Sequence, residues 1–278
     1  MSGEQMTNKI YHEHKAKGST YIKKAAEKSI LHAENQNFKT TPAMTLGSAF
    51  HVMNLEPELF SSQFVFEEIN KRTNVGKARV LELSDMGVTI LSAEEFEKVQ
   101  GMTASLNRHP LAKEMFKGGV SEMSHFAELD GVPAKCRTDY EKGGKIIDLK
   151  SCIDASPEGF ASAVAKYGYH IQVAYYVDVY NAANSAKLTY EDFFFVCVEN
   201  TAPYAVAVYT LDKDSYETGQ KLYKKVLKEY KNYLSQTNPL EANLEAGYYA
   251  GILSLSLPLW VHSKAETRIT EIEEGEAV

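Results

Sequence analysis

Asp139, Asp148 and Lys150 are the residues of this 278-residue chain whose types and spacing are best suited to chemistry. Gly143-Gly144 lies between them and reads as a two-residue hairpin turn, which sets Lys142 against Lys145. That register places Asp139 directly opposite Asp148, where cross-strand Cβ atoms stand about 4.5–5.5 Å apart. Carboxylates so close repel one another unless one is protonated or a cation lies between them. Asp148 and Lys150, two apart on one strand, point to the same sheet face. Such a site suits Mg²⁺, with Mn²⁺ as a substitute, and its chemistry is phosphodiester hydrolysis. The ion polarises the phosphate and acidifies water, while Lys150 positions the attacking water, deprotonates it as a neutral amine, or neutralises charge as an ammonium. Solvated charges on a surface hairpin would explain a lone Asp-x-Lys equally well. The apolar Ile146-Ile147 and the register of the turn favour the site.

The elements that must position these groups follow from periodicity and punctuation. Residues 122–129, 132–141 and 145–150 read as a meander joined at Asp130-Gly131 and Gly143-Gly144. Before it, helices are predicted over 21–32 with Ser19 as cap, from about 45 onward with Thr45 as cap, from a Ser92/Glu95 capping box to about 106, and over 111–116. After it come a helix opened by Ser156 and Pro157, a helix over 169–181, strands at 192–199 and 205–210, and a long helix over 214–234. The class is α/β (α+β): a central mixed sheet flanked by helices. One domain over 19–262 is expected, with a flexible N-terminus over 1–18 and an acidic, disordered tail over 263–278.

Composition sets limits. Hydrophobic residues make up 44% of the chain, enough for a sizeable core, and no apolar run is long enough to span a membrane. Without a secretory pattern, and with Cys136, Cys152 and Cys197 widely spaced and odd in number, a reducing cytoplasm is expected. The net charge of −7 argues against a uniformly basic surface. Residues 265–278 carry five acids and one base, a net of −4 that leaves about −3 for the rest, so a local basic groove stays open.

With these residues in view, the chain resembles the PD-(D/E)xK nucleases. Asp139 corresponds to the first acid, and Asp148-Leu-Lys150 to the second acid and lysine. Gly47-Ser-Ala-Phe-His51 resembles the GxxxH motif of the RecB-like group, and Gln172-Val-Ala-Tyr-Tyr176 its QxxxY motif. The segments "LGSAFHVMNLEPELF", "CRTDY", "IDLKSCIDASPEGFASAVAKYGYHIQVAYYVD", "VENTAPYAV" and "LPLW" are similar to the exonuclease VIII, or RecE-type, branch of phages and prophages. This resemblance implies a restriction-endonuclease-like core and a metal held by His51, Asp139 and Asp148. It also implies digestion of double-stranded DNA ends from 5′ to 3′, leaving 3′ tails for recombination. A ring-shaped homo-oligomer, trimeric or tetrameric, and a RecT-type annealing partner belong to the same implication.

The supporting residues have readings of their own. His51 lies on a predicted helix one turn beyond Gly47, whose missing side chain would let another backbone approach. Gln172 and Tyr176, at i and i+4, share a helix face that supports the lysine, touches phosphate, or simply packs. Glu122 matches an acidic position before the first aspartate in the family; it would ligate a second metal or hold water, although a solvated strand-end acid fits as well. Arg137 is taken as a supporting or DNA-contacting residue. Arg72, with Lys71, Lys77 and Arg79, forms a basic cluster in a predicted loop, suited to phosphates or to solvent. An endonuclease or helicase-associated module of the same fold, and an inactive DNA-binding protein, are the alternatives. A Cas4-like iron–sulfur version lacks its four clustered cysteines.

Overall fold

The computed structural model describes residues 3–37, 39–70, 72–236, 247, 252, 254–261 and 264. The chain begins with strand β1 (Glu4–Gln5) and helices α1 (Asn8–Glu13), α2 (Ser19–Glu27), α3 (Ile30–Glu34) and α4 (Pro42–Leu55). Short elements follow: α5 (Phe60–Gln63), β2 (Phe64–Phe66), α6 (Asn74–Asp85) and β3 (Thr89–Leu91). Helices α7 (Ala93–Arg108) and α8 (Pro110–Met115) lead into the meander β4 (Val120–Leu129), β5 (Val132–Lys142) and β6 (Lys145–Cys152). Helices α9 (Pro157–Tyr167) and α10 (Tyr169–Asn184) cross over to β7 (Phe193–Glu199), then β8 (Val206–Tyr209) and α11 (Lys213–Ser235).

Six strands form one mixed sheet in the order β1-β4-β5-β6-β7-β8. Only β6 and β7 are parallel, because α9 and α10 carry the chain back over the sheet between them; the other neighbours run antiparallel. Strand alternation then sorts the core into two layers. Ile146, Phe193, Phe195 and Cys197 face α2, α3, α9, α10 and α11, whereas Ile147, Leu149, Val196 and Val198 face α4, α7 and α8. The expected mixed sheet flanked by helices is what forms.

Several local expectations shift for identifiable reasons. Helix α4 starts a turn before Thr45: the Thr41 hydroxyl accepts the Met44 N–H, and Pro42 takes the first position, where no N–H is needed. The helix expected over 21–32 is broken, and Ser29 caps α3. The basic loop at 71–79 is largely helical, since Thr73 accepts the Gly76 N–H and opens α6. Val75 and Leu81 stay exposed there, so that helix lacks the apolar stripe by which it could be read.

Within the segment 1–18 expected to be flexible, residues from Glu4 to Lys17 are instead docked on the sheet. Glu4 and Gln5 pair with Ser124 and Met123, extending the sheet. Lys17 N–H donates to the Pro133 carbonyl and accepts the Lys135 N–H at its own carbonyl, each at 2.9 Å. Polar tails are read as mobile because they bury little, but here the edge of β4 and the part of β5 not paired with β6 offer hydrogen-bond partners. The acidic tail lies outside the described residues, apart from Lys264. Among the described residues no helix is long and apolar enough to cross a membrane.

Candidate metal centre

The site sits where β5 and β6 part. The Gly143-Gly144 turn has both glycines at positive φ (56° and 74°) and pairs Lys142 with Lys145, as its sequence predicts. Pairing continues through Glu141↔Ile146 and Tyr140↔Ile147 and goes no further. The expected face-to-face rung of Asp139 and Asp148 is therefore in register but not laddered. Beyond it, side chains replace strand partners. The Asp139 Oδ2 accepts the Leu149 N–H at 2.8 Å, and the Leu149 carbonyl accepts from His51 Nε2. Backbone groups that a β-ladder would have satisfied thus hold two functional side chains in place.

His51 arrives on α4, from the opposite side of the sheet to α10. Gly47 permits the approach: a Cβ there would lie 3.2 Å from Ser151 Oγ on β6. The expected backbone contact is thus a contact with a serine hydroxyl. Because a carbonyl only accepts, Nε2 carries a proton, and in the neutral imidazole that leaves Nδ1 with its lone pair. That Nδ1 lies 3.6 Å from Asp139 Oδ2.

Glu122 completes the group from β4. The β4–β5 register runs through Ser121↔Tyr140 and Met123↔Thr138, so Glu122 stands opposite Asp139, and that rung is unpaired. Its backbone is left-handed, with φ of 54°. A non-glycine residue held there costs on the order of 1–3 kcal/mol, strain that accumulates at functional sites. One ligand atom from each of His51, Glu122 and Asp139 lies within 4.8 Å of the others. Two carboxylate oxygens and an imidazole nitrogen make a donor set for a hard or borderline divalent cation. Burial pushes the Glu122 carboxyl up to about 8, and Asp139 and Glu56 push it in the same direction. Acids brought this close disfavour one another's ionised forms, and a cation between them would reverse that.

Asp148 has a different setting. It is 1% exposed; its Oδ1 accepts from Gln172 Nε2 at 2.8 Å, and its Oδ2 touches the Lys150 ammonium. The contact with Lys150 is an ion pair without hydrogen-bond angles, and Oδ2 has no hydrogen-bond partner among the described residues. Burial, more than Asp139, raises the Asp148 carboxyl, while Lys150 opposes the rise. Burial also works against the Lys150 ammonium, but Asp148 and Asp139 outweigh it and keep it charged. Lys150 is therefore a held cation rather than a free base. Asp148 is not among the three converging ligand residues, although the sequence groups it with them.

Comparison with known proteins now adds the lineage. Residues 18–243 match the family described as "PDDEXK-like domain of unknown function (DUF3799)". The chain belongs to this family. No curated protein matches it. A crystal structure described as "Putative exonuclease" from Eubacterium rectale is similar, with a TM-score of 0.58 at 16% identity, covering 92% of this chain and 97% of that one. That likeness shows the fold. A second solved structure, described as SSO0001, has a TM-score of 0.29 at 14% identity over 79% of this chain and 87% of that one, and carries no argument.

In this PDDEXK-like site the remaining predicted residues divide. Gln172 reaches the centre through Asp148. Tyr176, one turn further on, is buried, with its ring 6.3 Å from Phe193, and packs in the core. Arg137 is engaged by β4 and the N-terminal segment: its guanidinium bonds Ser124 Oγ and the Met6 carbonyl, each at 2.9 Å, as well as Asn8 Oδ1, and stacks 4.4 Å from the Tyr11 ring, while its charge favours the ionised form of Glu122. Arg72 is exposed in the turn before α6, outside the cluster. Arg79 is taken up by Glu67 and Glu82.

Two residues beside the PDDEXK-like centre carry no motif. Tyr169 lies 5.0 Å beneath the Lys150 ammonium and 5.4 Å beneath that of Lys23. The Lys-Tyr-Gly-Tyr sequence at 166–169 places Tyr169 at a helix corner, a legible signal. For Lys23 no local signal exists.

Proposed function

We propose that the protein is a Mg²⁺-dependent exonuclease that digests linear double-stranded DNA from its 5′ ends and leaves 3′ single-stranded tails for recombination. One observation carries the hydrolytic reading: His51, Glu122 and Asp139 converge beside a buried Asp148–Lys150 pair in the gap between β5 and β6. His51 Nδ1 and carboxylates of Glu122 and Asp139 would hold the cation. When bound, a divalent ion supplies Lewis acidity to a phosphate oxygen and lowers the pKa of a coordinated water. The Leu149 carbonyl keeps the imidazole in the ligating tautomer, and Gln172 orients Asp148. Lys150 offers a fixed positive charge for the phosphate in the transition state. Polarity, a ring-shaped oligomer around DNA, a RecT-type annealing partner and work in the cytoplasm rest on the resemblance to exonuclease VIII.

The test is incubation of linear and closed circular duplexes with Mg²⁺, with strands labelled at either end. Degradation of linear DNA alone, with loss of the 5′ label first, is the expected result. Nicking of circles would replace the reading with an endonuclease, and inertness would replace it with a binding protein. Ca²⁺, which accepts larger and looser shells, should support DNA binding with little hydrolysis.

A further inference from the structure

We propose that the cleft between α2 and the corner joining α9 to α10 is a subsite for a single nucleic-acid strand, with Lys23 and Lys166 facing phosphates and Tyr167 stacking on a base. The inference rests on the nuclease reading for its biological purpose, but the binding itself stands on separate geometry. The cleft has a volume of about 410 Å³ and is lined by Lys23, Lys24, Lys166 and Tyr167, with Glu27, the partner of Lys24, as the acid in its lining.

Cations and rings alternate outward from the catalytic lysine. Lys150 and Lys23 each place an ammonium on the Tyr169 ring. Tyr169 lies 5.6 Å from Tyr167, and the Lys166 ammonium lies 5.3 Å from the Tyr167 ring. Gly168, at φ of 63°, makes the corner that brings the two tyrosines together, and it leaves room for the Lys23 stem, whose Cδ would be 3.3 Å from a Cβ there. Tyr167 is 47% exposed, a large ring left open on the cleft wall.

The charges here are unspent. Lys24 pairs with Glu27 at 3.5 Å, but among the described residues neither Lys23 nor Lys166 has a carboxylate within ion-pair distance. Burial, and then the Lys150 charge, lower the Lys23 amine to about 8. Asp148 acts on Lys23 in the opposite direction, but its carboxylate is already in contact with Lys150, so two neighbouring ammoniums still gain from a further anion. A phosphate of a strand leading to or from the metal centre supplies that anion. Alternating cations and exposed aromatic faces are how proteins hold single strands without reading their sequence. A duplex would leave the Tyr167 ring without a base face to stack on.

The test is the binding of fluorescein-labelled oligothymidylate in EDTA, followed by anisotropy across several salt concentrations, so that hydrolysis plays no part. Tyr167→Ala should weaken binding by about 5- to 150-fold, the range for losing one stacked base. Lys23→Gln should reduce the magnitude of the log–log salt slope by about 0.7, the value for one phosphate contact on a single strand. Lys213→Gln, an exposed lysine paired with Glu217, should leave both quantities unchanged. Thermal melts verify folding; Tyr167 is exposed, so its variant remains informative even if Lys23→Gln unfolds. Losses of this kind support the subsite whether or not the wild type cuts DNA with Mg²⁺, so failed hydrolysis counts against the nuclease reading alone. Wild-type affinity and salt slope in both variants overturn the subsite, and so does a wild type that does not bind the oligonucleotide.

Discussion

At the residue scale, the site is a contest between burial and charge. Lys150 keeps its proton because Asp148 and Asp139 outweigh its burial, so its task is to present charge. Lys150→Ala should lower kcat by about 10²- to 10³-fold, the usual loss when one stabilising group is removed. Single-turnover cleavage would measure it, and retained turnover would remove the assigned role. Glu122 offers a pH prediction. Its carboxyl titrates near 8 in the folded protein, above the ordinary carboxylate range it has when unfolded. The folded state therefore binds the extra proton between roughly pH 5 and 8, and that contribution to stability is lost as pH rises through 8. Without metal, Tm should fall across this interval, and Glu122→Gln should flatten the fall. Mg²⁺ should oppose it, since a bound cation favours the ionised acids. A Tm that rises from pH 5 to 8 in EDTA would contradict the assignment.

At the scale of elements, the site is a seam that opens in a sheet. The glycine turn sets the register, pairing stops after Tyr140↔Ile147, and Leu149 then bonds Asp139 and His51 where β5 would have continued. Helix α4 must lie close for this, and Gly47 is the point of approach to Ser151. Gly47→Leu should push α4 away and displace His51, lowering cleavage by at least about tenfold through misplacement of a site group. Gly47→Ala is the milder change: its Cβ needs only a few tenths of an ångström, and alanine favours the helix by about 1 kcal/mol. Its Tm should hold while cleavage falls. Adding Ser151→Ala to Gly47→Ala should restore part of the rate, and a lack of coupling between the two would refute the contact.

At the scale of the whole molecule, the N-terminal segment belongs to the fold. Glu4–Gln5 extends the sheet on β4, the strand that carries Glu122, and the following residues enclose Arg137 with Asn8, Met6 and Tyr11. Removing residues 1–14 would strip partners from a buried guanidinium, a change that costs several kcal/mol when one member of a buried polar group is lost. For a domain of this size each kcal/mol shifts Tm by about 2–4 °C. The truncated protein should therefore melt about 6 °C lower or more. An unchanged Tm would show the docking to be energetically idle.

What could be read without coordinates is what is local. Two glycines demand a tight turn, the turn sets the register, and strand periodicity places Asp148 and Lys150 on one face; none of this needs distant contacts. Helix caps such as Ser92 and Ser156 are legible for the same reason, and so is the i, i+4 spacing that puts Gln172 and Tyr176 on one helix face, though not the reach of Gln172 to Asp148. Motif resemblance grouped His51 with Asp139 and Asp148 and offered Glu122 as a further acid. Only the tertiary structure brings Glu122, rather than Asp148, to His51 and Asp139. Strand separation lets Asp139 turn to the Leu149 amide, a left-handed backbone aims Glu122 at it, and burial commits Asp148 to Gln172 and Lys150. The docking of Arg137, the helix at 74–85 and the place of Lys23 beside Tyr169 were equally illegible. Each depends on surfaces far apart in sequence meeting, and no local pattern encodes which free edge, cation or ring will find a partner.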